Sequence, residues 1–261
     1  MHTVRAVLLF SILISILFLP TQNARTQEEI GQFLRLSSGS VYIEYARYSD
    51  KDRKTVQETT WVYIGSGWAY KNVGDGSIWI TNAHVVEMNP NRVDGKGRWW
   101  FPTWEYGVRM QGKFIVRAKL LKVDRESDLA ALKAEVKATP VSCVDTADPP
   151  VGAPVVVVGS PISIRQAVSY GRVMRENSEE YDYDGISGFA GAVRGQYKGG
   201  YLWLDVRVTR GSSGSLVANG VTGCVVGVIR GYWSAGTFVQ LGEPIIYAIP
   251  SATLNNFLSK L

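Results

Sequence analysis

Ile78-Trp79-Ile80-Thr81-Asn82-Ala83-His84-Val85-Val86 is the stretch on which the reading of this chain turns. An apolar run with the composition of a buried strand ends at Thr81, and small and branched residues follow that can pack as a turn around an imidazole. Beyond residues 1–24, His84 is the only histidine in the chain, so any imidazole chemistry runs through it. A lone histidine after a strand is more often structural than catalytic. Two other stretches change its meaning.

The first is Arg210-Gly211-Ser212-Ser213-Gly214-Ser215-Leu216, a serine between glycines just ahead of an apolar strand. As a plain turn it needs no further explanation. As a site, its glycines let the backbone bend until the amides of Gly211 and Ser213 point at one spot, an arrangement that holds the oxyanion of an acyl-transfer intermediate. A serine hydroxyl is hardly ionised at neutral pH and needs a base beside it, and His84 is the imidazole available. The second stretch is Ser127-Asp128-Leu129-Ala130-Ala131-Leu132, in which an acid stands immediately before an apolar strand. That is a costly place for a charge unless something pairs with it, so Asp128 is the carboxylate expected to orient His84. Asp124 and Glu126, close to Lys122 and Arg125, read as a solvated face.

Outward from these stretches the chain reads as β structure throughout. A strand is expected at 40–46, and 61–70 and 77–81 flank Val73-Gly74-Asp75-Gly76 as a hairpin, with Asp75-Gly76 as the turn pair. Further strands are expected at 98–104, 106–110, 113–123, 129–133, 153–159, 166–174, 201–208, 215–219, 223–230 and 244–249. Within the lead segment 25–38, the stretch Thr26 to Arg35 reads as helical or mobile, and helix is expected at 251–261, where Ser251 is the candidate cap. The proline-bearing segment 139–150 is the candidate connection between two halves. Trp99, Trp100, Phe101, Trp104 and Tyr106 read either as hairpin packing or as an exposed binding or membrane-touching loop.

Composition sets the limits. The 27 glycines among short runs of Val, Ile, Tyr and Trp suit an all-β protein with many turns. The formal charge of +5 contains no block of basic residues, so a nucleic-acid partner is not expected. Residues 6–19 are apolar apart from Ser11 and Ser15, follow Arg5 and stop at Pro20. Fourteen helical residues reach about 21 Å, short of a hydrocarbon core of ~30 Å. Residues 1–24 therefore read as a signal peptide or an uncleaved N-terminal anchor, with the rest of the chain exported to a periplasmic or extracellular space and membrane association possible through that segment. Cys143 and Cys224 suit either one disulfide or two buried thiols, and they lack metal-site spacing. The acidic stretch 176–184 reads as a solvated loop, with calcium the minor alternative. No metal and no cofactor are expected.

His84, Asp128 and Ser213, in that order, resemble the trypsin-like serine protease superfamily, and more narrowly its HtrA/Deg-type branch. Thr81-Asn82-Ala83-His84-Val85-Val86 resembles the family's histidine motif and Ser127-Asp128-Leu129-Ala130 its aspartate motif. Gly65-Ser66-Gly67-Trp68, Val157-Val158-Gly159-Ser160-Pro161 and Ser169-Tyr170-Gly171-Arg172-Val173 resemble supporting strands, and the likeness runs over residues 39–258. It implies an all-β fold of two six-stranded antiparallel β-barrels with a short C-terminal helix, the first barrel over about 39–138, the second over about 151–250 and the helix over 251–261. It implies a serine endopeptidase acting on polypeptide substrates, with His84, Asp128 and Ser213 catalytic and Gly211 and Ser213 forming the oxyanion hole. Walls of the substrate pocket are expected from Arg207, Thr209, Arg210, Ile229, Arg230 and Gly231, with Ile229-Arg230-Gly231 able to pair with an extended peptide and small or medium apolar side chains preferred. The acidic stretch falls where such enzymes keep loops that control activity.

Departures from the pattern carry expectations of their own. Ser212 stands where digestive relatives carry an acid that pairs with a newly cut N-terminus, so activation by that cleavage is not expected. Ser215 stands where many relatives have a second glycine. After Ser213, 48 residues remain, enough to finish a barrel, so a protease domain without a PDZ domain is expected. The resemblance puts Cys143 in the inter-barrel connection and Cys224 after the nucleophile loop, distant places, so two free thiols are expected. Two other readings remain open: a protease-fold binding protein that does not cut, and a secreted carbohydrate- or surface-binding β protein using the tryptophans.

Overall fold

A computed structural model of the chain describes residues 25–49, 53–110, 112, 114–161, 164–178, 200–233 and 245–261. The apolar N-terminal run and the acidic stretch beyond residue 178 lie outside them. The described chain opens on helix α1 (Gln27–Arg35), in the expected place. It starts where it does because Thr26 and Glu29 form a capping box: the Thr26 hydroxyl accepts the Glu29 N–H, and the Glu29 carboxylate accepts the Thr26 N–H.

Seven strands follow: β1 (Ser38–Tyr48), β2 (Val56–Val73), β3 (Gly76–Thr81), β4 (Arg92–Val93), β5 (Trp99–Arg109), β6 (Val116–Asp124) and β7 (Leu129–Ala134). They pair antiparallel in the order β1-β2-β3-β7-β6-β5-β4, and β1 also pairs with β5, which closes six of them into a barrel and leaves the short β4 on its rim. A short helix, α2 (Ala83–Glu87), leaves the end of β3. The second barrel comprises β8 (Pro154–Gly159), β9 (Ala167–Ser178), β10 (Tyr201–Asp205), β11 (Leu216–Asn219), β12 (Val225–Trp233) and β13 (Ile245–Pro250), closed in the order β10-β13-β12-β11-β8-β9. Helix α3 (Ser251–Leu258) follows it. The fold is the expected pair of six-stranded antiparallel barrels with a short C-terminal helix.

Each barrel has its own core, and a third core lies between them. Val41, Ile43, Tyr45, Trp79 and Leu132 fill the first barrel; Val155, Val157, Leu202, Leu204 and Ile229 fill the second. Trp68, Ile80 and Leu129 of the first barrel meet Val156, Val158, Leu216 and Val228 of the second, and α1 and α3 cover this seam with Ile30, Leu34, Leu254 and Phe257. The seam explains the run Val155-Val156-Val157-Val158. Successive side chains on a strand point to opposite faces, and here both faces are buried, one in the barrel and one in the seam.

Local details depart from the sequence reading. The turn of the first hairpin is Gly74-Asp75 rather than Asp75-Gly76: Val73 pairs with Gly76, and the positive φ, +61°, falls on Gly74. A two-residue turn of this kind puts its glycine first. The two strands expected at 98–104 and 106–110 are one strand, β5, kinked where Trp104 takes φ +63° and the register with β1 shifts. The aromatic cluster divides by face: Trp100 and Tyr106 are buried, whereas Trp99 and Trp104 are exposed. Ser251 does not cap α3 from its own sequence position; Asp148 of the connection accepts both its N–H and its hydroxyl.

The expectation of two free thiols is corrected. Cys143 and Cys224 form a disulfide, with their α-carbons 4.7 Å apart. The inter-barrel connection does not swing away from the second barrel but lies along β12. Val144 bridges Val225 in parallel, the Val225 N–H donates to the Cys143 carbonyl, and the Asp145 N–H donates to the Val225 carbonyl. These bonds bring the two cysteines, 81 residues apart in sequence, side by side. Replacing both by serine should cost about 2–4 kcal/mol in urea unfolding, the usual worth of a bridge that closes a long loop. Thiol titration of the monomer in denaturant without reductant should find none, and a count of two thiols would contradict the bridge.

Candidate active site

The site is assembled where the end of β3 meets the start of β7. The Asn82 side-chain amide and the Ala83 N–H both donate to the main-chain carbonyl of Asp128, at 3.0 and 3.1 Å. This fixes a residue whose own backbone is in the left-handed region, φ +52°, a conformation that aspartate tolerates better than most side chains. Thus held, Asp128 grips His84 in two ways. Its Oδ1 accepts the His84 main-chain N–H at 3.0 Å, and the ring Nδ1 lies 2.9 Å from Oδ2 and 3.1 Å from Oδ1. The carboxylate is buried, with 6% of its side chain exposed, while the imidazole keeps 32% of its surface open.

Burial alone would raise the Asp128 carboxyl above the ordinary carboxylate range. The hydrogen bonds and charge of His84 and the charge of Arg230 outweigh that cost and hold it below. Arg230 is the partner that the sequence reading missed. Its Nε donates to Asp128 Oδ2 at 2.8 Å, and its Nη1 donates to the Tyr201 hydroxyl. Burial of the guanidinium works against its charge, and the carboxylate of Asp128 more than restores it. A signal was present in the sequence: Arg230 interrupts the apolar run of β12, as Asp128 interrupts the approach to β7, and two charges in apolar surroundings are obvious partners.

The serine loop is locked onto the first barrel from several sides. The Ser66 N–H donates to the Ser213 carbonyl at 2.8 Å, and the Ser66 hydroxyl donates to the Gly211 carbonyl at 2.8 Å while accepting the Ser160 N–H. The Tyr63 hydroxyl faces the carbonyls of Gly211 and Ser160, and burial pushes its pKa up to about 12, so it serves here as a proton donor throughout the physiological range. Gly214 cannot be another residue without a shift: its φ is +86°, and a Cβ there would stand 2.1 Å from the Ser66 carbonyl oxygen and 2.5 Å from Thr81 Oγ1. Ser215 fits here because its neighbour is Gly159, where a Cβ would come within 1.8 Å of the Ser215 hydroxyl. Val85 and the Ser213 carbonyl both close on Gly65, so the histidine helix and the serine loop meet on the same strand. The Ser213 hydroxyl donates to the main-chain carbonyl of Arg230 at 3.2 Å.

The residues expected to wall a substrate pocket divide into two groups. Arg207, Thr209 and Arg210 are exposed, and Gly231 is partly exposed. Ile229 is fully buried, and both of its main-chain groups are taken: its N–H by the Ser215 carbonyl and its carbonyl by the Gly214 N–H. It offers neither side chain nor backbone to a ligand. The guanidinium of Arg230, expected on the pocket wall, is instead buried against Asp128. Ser212 is buried in a tight turn, its N–H on the Thr209 carbonyl and its hydroxyl accepting the Thr209 N–H.

Comparison with known proteins identifies the family. The family described as "Trypsin-like peptidase domain" matches residues 65–228. A "Serine protease HtrA-like" of Staphylococcus aureus (strain MRSA252) is 26% identical over 204 residues, covering 76% of this chain and 23% of the relative. "Serine protease HTRA3" of Homo sapiens is 29% identical over 208 residues, covering 75% of this chain and 37% of the relative. The chain thus spans well under half the length of these relatives. Among solved structures, "HtrA-type protease AlgW with decapeptide" shares the fold with a TM-score of 0.65 at 17% identity, over 90% of this chain and 67% of that one. Barrel pairing, the order of the motifs and the matched span lead to one family: the chain belongs to the trypsin-like peptidases, with HtrA-like serine proteases among its relatives.

Proposed function

We propose that the chain is a serine endopeptidase that hydrolyses peptide bonds through an acyl-enzyme, with Ser213 as nucleophile, His84 as base and Asp128 as its orienting carboxylate. The observation that carries this reading is the double grip of Asp128 on His84, at the main-chain N–H and at Nδ1. With Nδ1 donating to the carboxylate, the proton sits on that nitrogen and Nε2 is left with its lone pair toward the open side.

In the proposed reaction the Ser213 hydroxyl leaves the Arg230 carbonyl and gives its proton to His84 Nε2 as its oxygen attacks the scissile carbonyl. The oxyanion is held by the amides of Gly211 and Ser213. Collapse expels the amine, which takes the proton back from His84, and leaves an ester on Ser213. Water then adds with His84 again as base, releasing the acid and restoring the hydroxyl. The decapeptide in the name of the structural relative supports a polypeptide substrate. We place the enzyme outside the cytoplasm: the signal-like residues 1–24 and the Cys143–Cys224 bridge both suit an oxidising space.

A second reading, a protease-fold protein that binds without cutting, is favoured by one observation, the engagement of the Ser213 hydroxyl with the Arg230 carbonyl. A fluorophosphonate probe separates the two. Wild type should be labelled on Ser213, and Ser213→Ala should lose labelling and peptidase activity while unfolding at the same urea concentration. An unlabelled but folded wild type would leave the binding reading in place.

The Asp128 carboxyl also couples stability to pH. Its folded pKa is depressed, so its contribution is present above the unfolded value of about 3.9 and is lost as pH falls through the lower folded value. Asp128→Asn should therefore cost about 3 kcal/mol at pH 7, the scale of a broken buried pair, and the difference from wild type should shrink as pH is lowered below about 4. Urea unfolding of both proteins at pH 7, 5 and 3 measures this, and a pH-independent difference would contradict it.

A further inference from the structure

Arg230 is 9% exposed, and its side chain is built into the second barrel. Tyr201 on β10 accepts from Nη1 and lies with its ring centroid 5.5 Å from the guanidinium carbon; Trp203 and Tyr247 pack against Tyr201. The guanidinium is thus held in place before it reaches Asp128. There its Nε takes Oδ2, the oxygen that also receives His84 Nδ1. Two bonds of 2.8 and 2.9 Å to one oxygen keep the two nitrogens within about 6 Å of each other.

We propose that Arg230 is a positioning residue of the site, a fixed cation that shares Asp128 with His84 and moves the working range of the imidazole base toward acid. The inference rests on the proteolytic reading for its consequence, not for its physics. A carboxylate beside a histidine favours the imidazolium, and a second cation on the same carboxylate opposes it, both by direct repulsion and by competing for the oxygen. A base that resists protonation keeps its lone pair at lower pH. The same residue also reaches the nucleophile, since its carbonyl accepts the Ser213 hydroxyl, so one position on β12 touches both ends of the proposed relay.

The groups facing the cluster leave the titration simple. Asp128 precedes β7, and its contacts with His84 and Arg230 hold its carboxyl below the ordinary carboxylate range. From β10 and β13 come the phenols of Tyr201 and Tyr247, and burial raises the pKa of Tyr247 above its ordinary value. Glu87, three residues beyond His84 on α2, is tied to Arg125 at 2.7 Å on the surface.

The test reads the imidazole directly. In the full chain, ring resonances of labelled histidine are followed by NMR from pH 4 to 9; His84→Ala assigns the His84 signal against His2. Removing the cation in Arg230→Gln should raise the His84 midpoint by about one pH unit, and Arg230→Lys, which keeps the charge, should hold it near the wild-type value. Arg230→Met, similar in length and uncharged, serves where the glutamine variant does not fold. A midpoint that is unchanged or lower in the uncharged variants would overturn the proposal, as would a lysine variant that titrates with them. The acid limb of the Ser213-dependent kcat/KM profile should move in the same direction, with KM little changed. Absence of Ser213-dependent activity in wild type would sink the proteolytic reading alone, because the NMR midpoints still decide the role of Arg230.

Discussion

Everything at the site depends on one buried carboxylate. Asp128 sits at the seam between the barrels, and its two oxygens accept the main-chain N–H and ring of His84 from one barrel and the guanidinium of Arg230 from the other. Its main-chain carbonyl is held by Asn82 and Ala83, which anchor its left-handed backbone. A charge taken out of water is costly, and several strong partners in fixed directions are what make it tenable. The geometry of the imidazole is a by-product of satisfying that charge.

The serine loop is fixed by a different means, chiefly main-chain hydrogen bonds and close approach. Ser66 joins Ser213, Gly211 and Ser160, so a single residue of β2 ties the serine loop and the end of β8 to the first barrel. Gly214 allows this approach because no Cβ separates the loop from the Ser66 carbonyl. Beside these polar ties runs the apolar seam of Trp68, Ile80, Leu129, Val156, Val158 and Leu216. The two barrels are therefore not independent supports: the histidine and acid come from one, the serine from the other, and the seam sets their separation.

The errors of the sequence reading have physical causes. The disulfide was unreadable because connection 139–150 carries no strand pattern, yet it docks along β12 through main-chain bonds that any sequence can make. The kink at Trp104 is invisible because tryptophan gives no sign of a positive φ, whereas Gly74 marks the 73–76 turn and leaves only its register open. The role of Arg230 was missed for another reason. A charge at the edge of an apolar run demands a partner, which marks Asp128 in the sequence, and the same argument applied to β12 pairs Arg230 with it.

From the sequence alone came the strands and the three residues proposed for catalysis, written locally in alternating burial, turn residues and short motifs, while the two-barrel fold was implied by the resemblance of those motifs to the trypsin-like family. The tertiary structure decided which groups share an oxygen: that Arg230 turns inward to Asp128, that Ile229 is closed by Ser215 and Gly214, and that Cys143 meets Cys224. Each joins residues from distant parts of the chain, and which side of a strand meets which neighbour is set by barrel closure and the packing of the seam, quantities that no local pattern records.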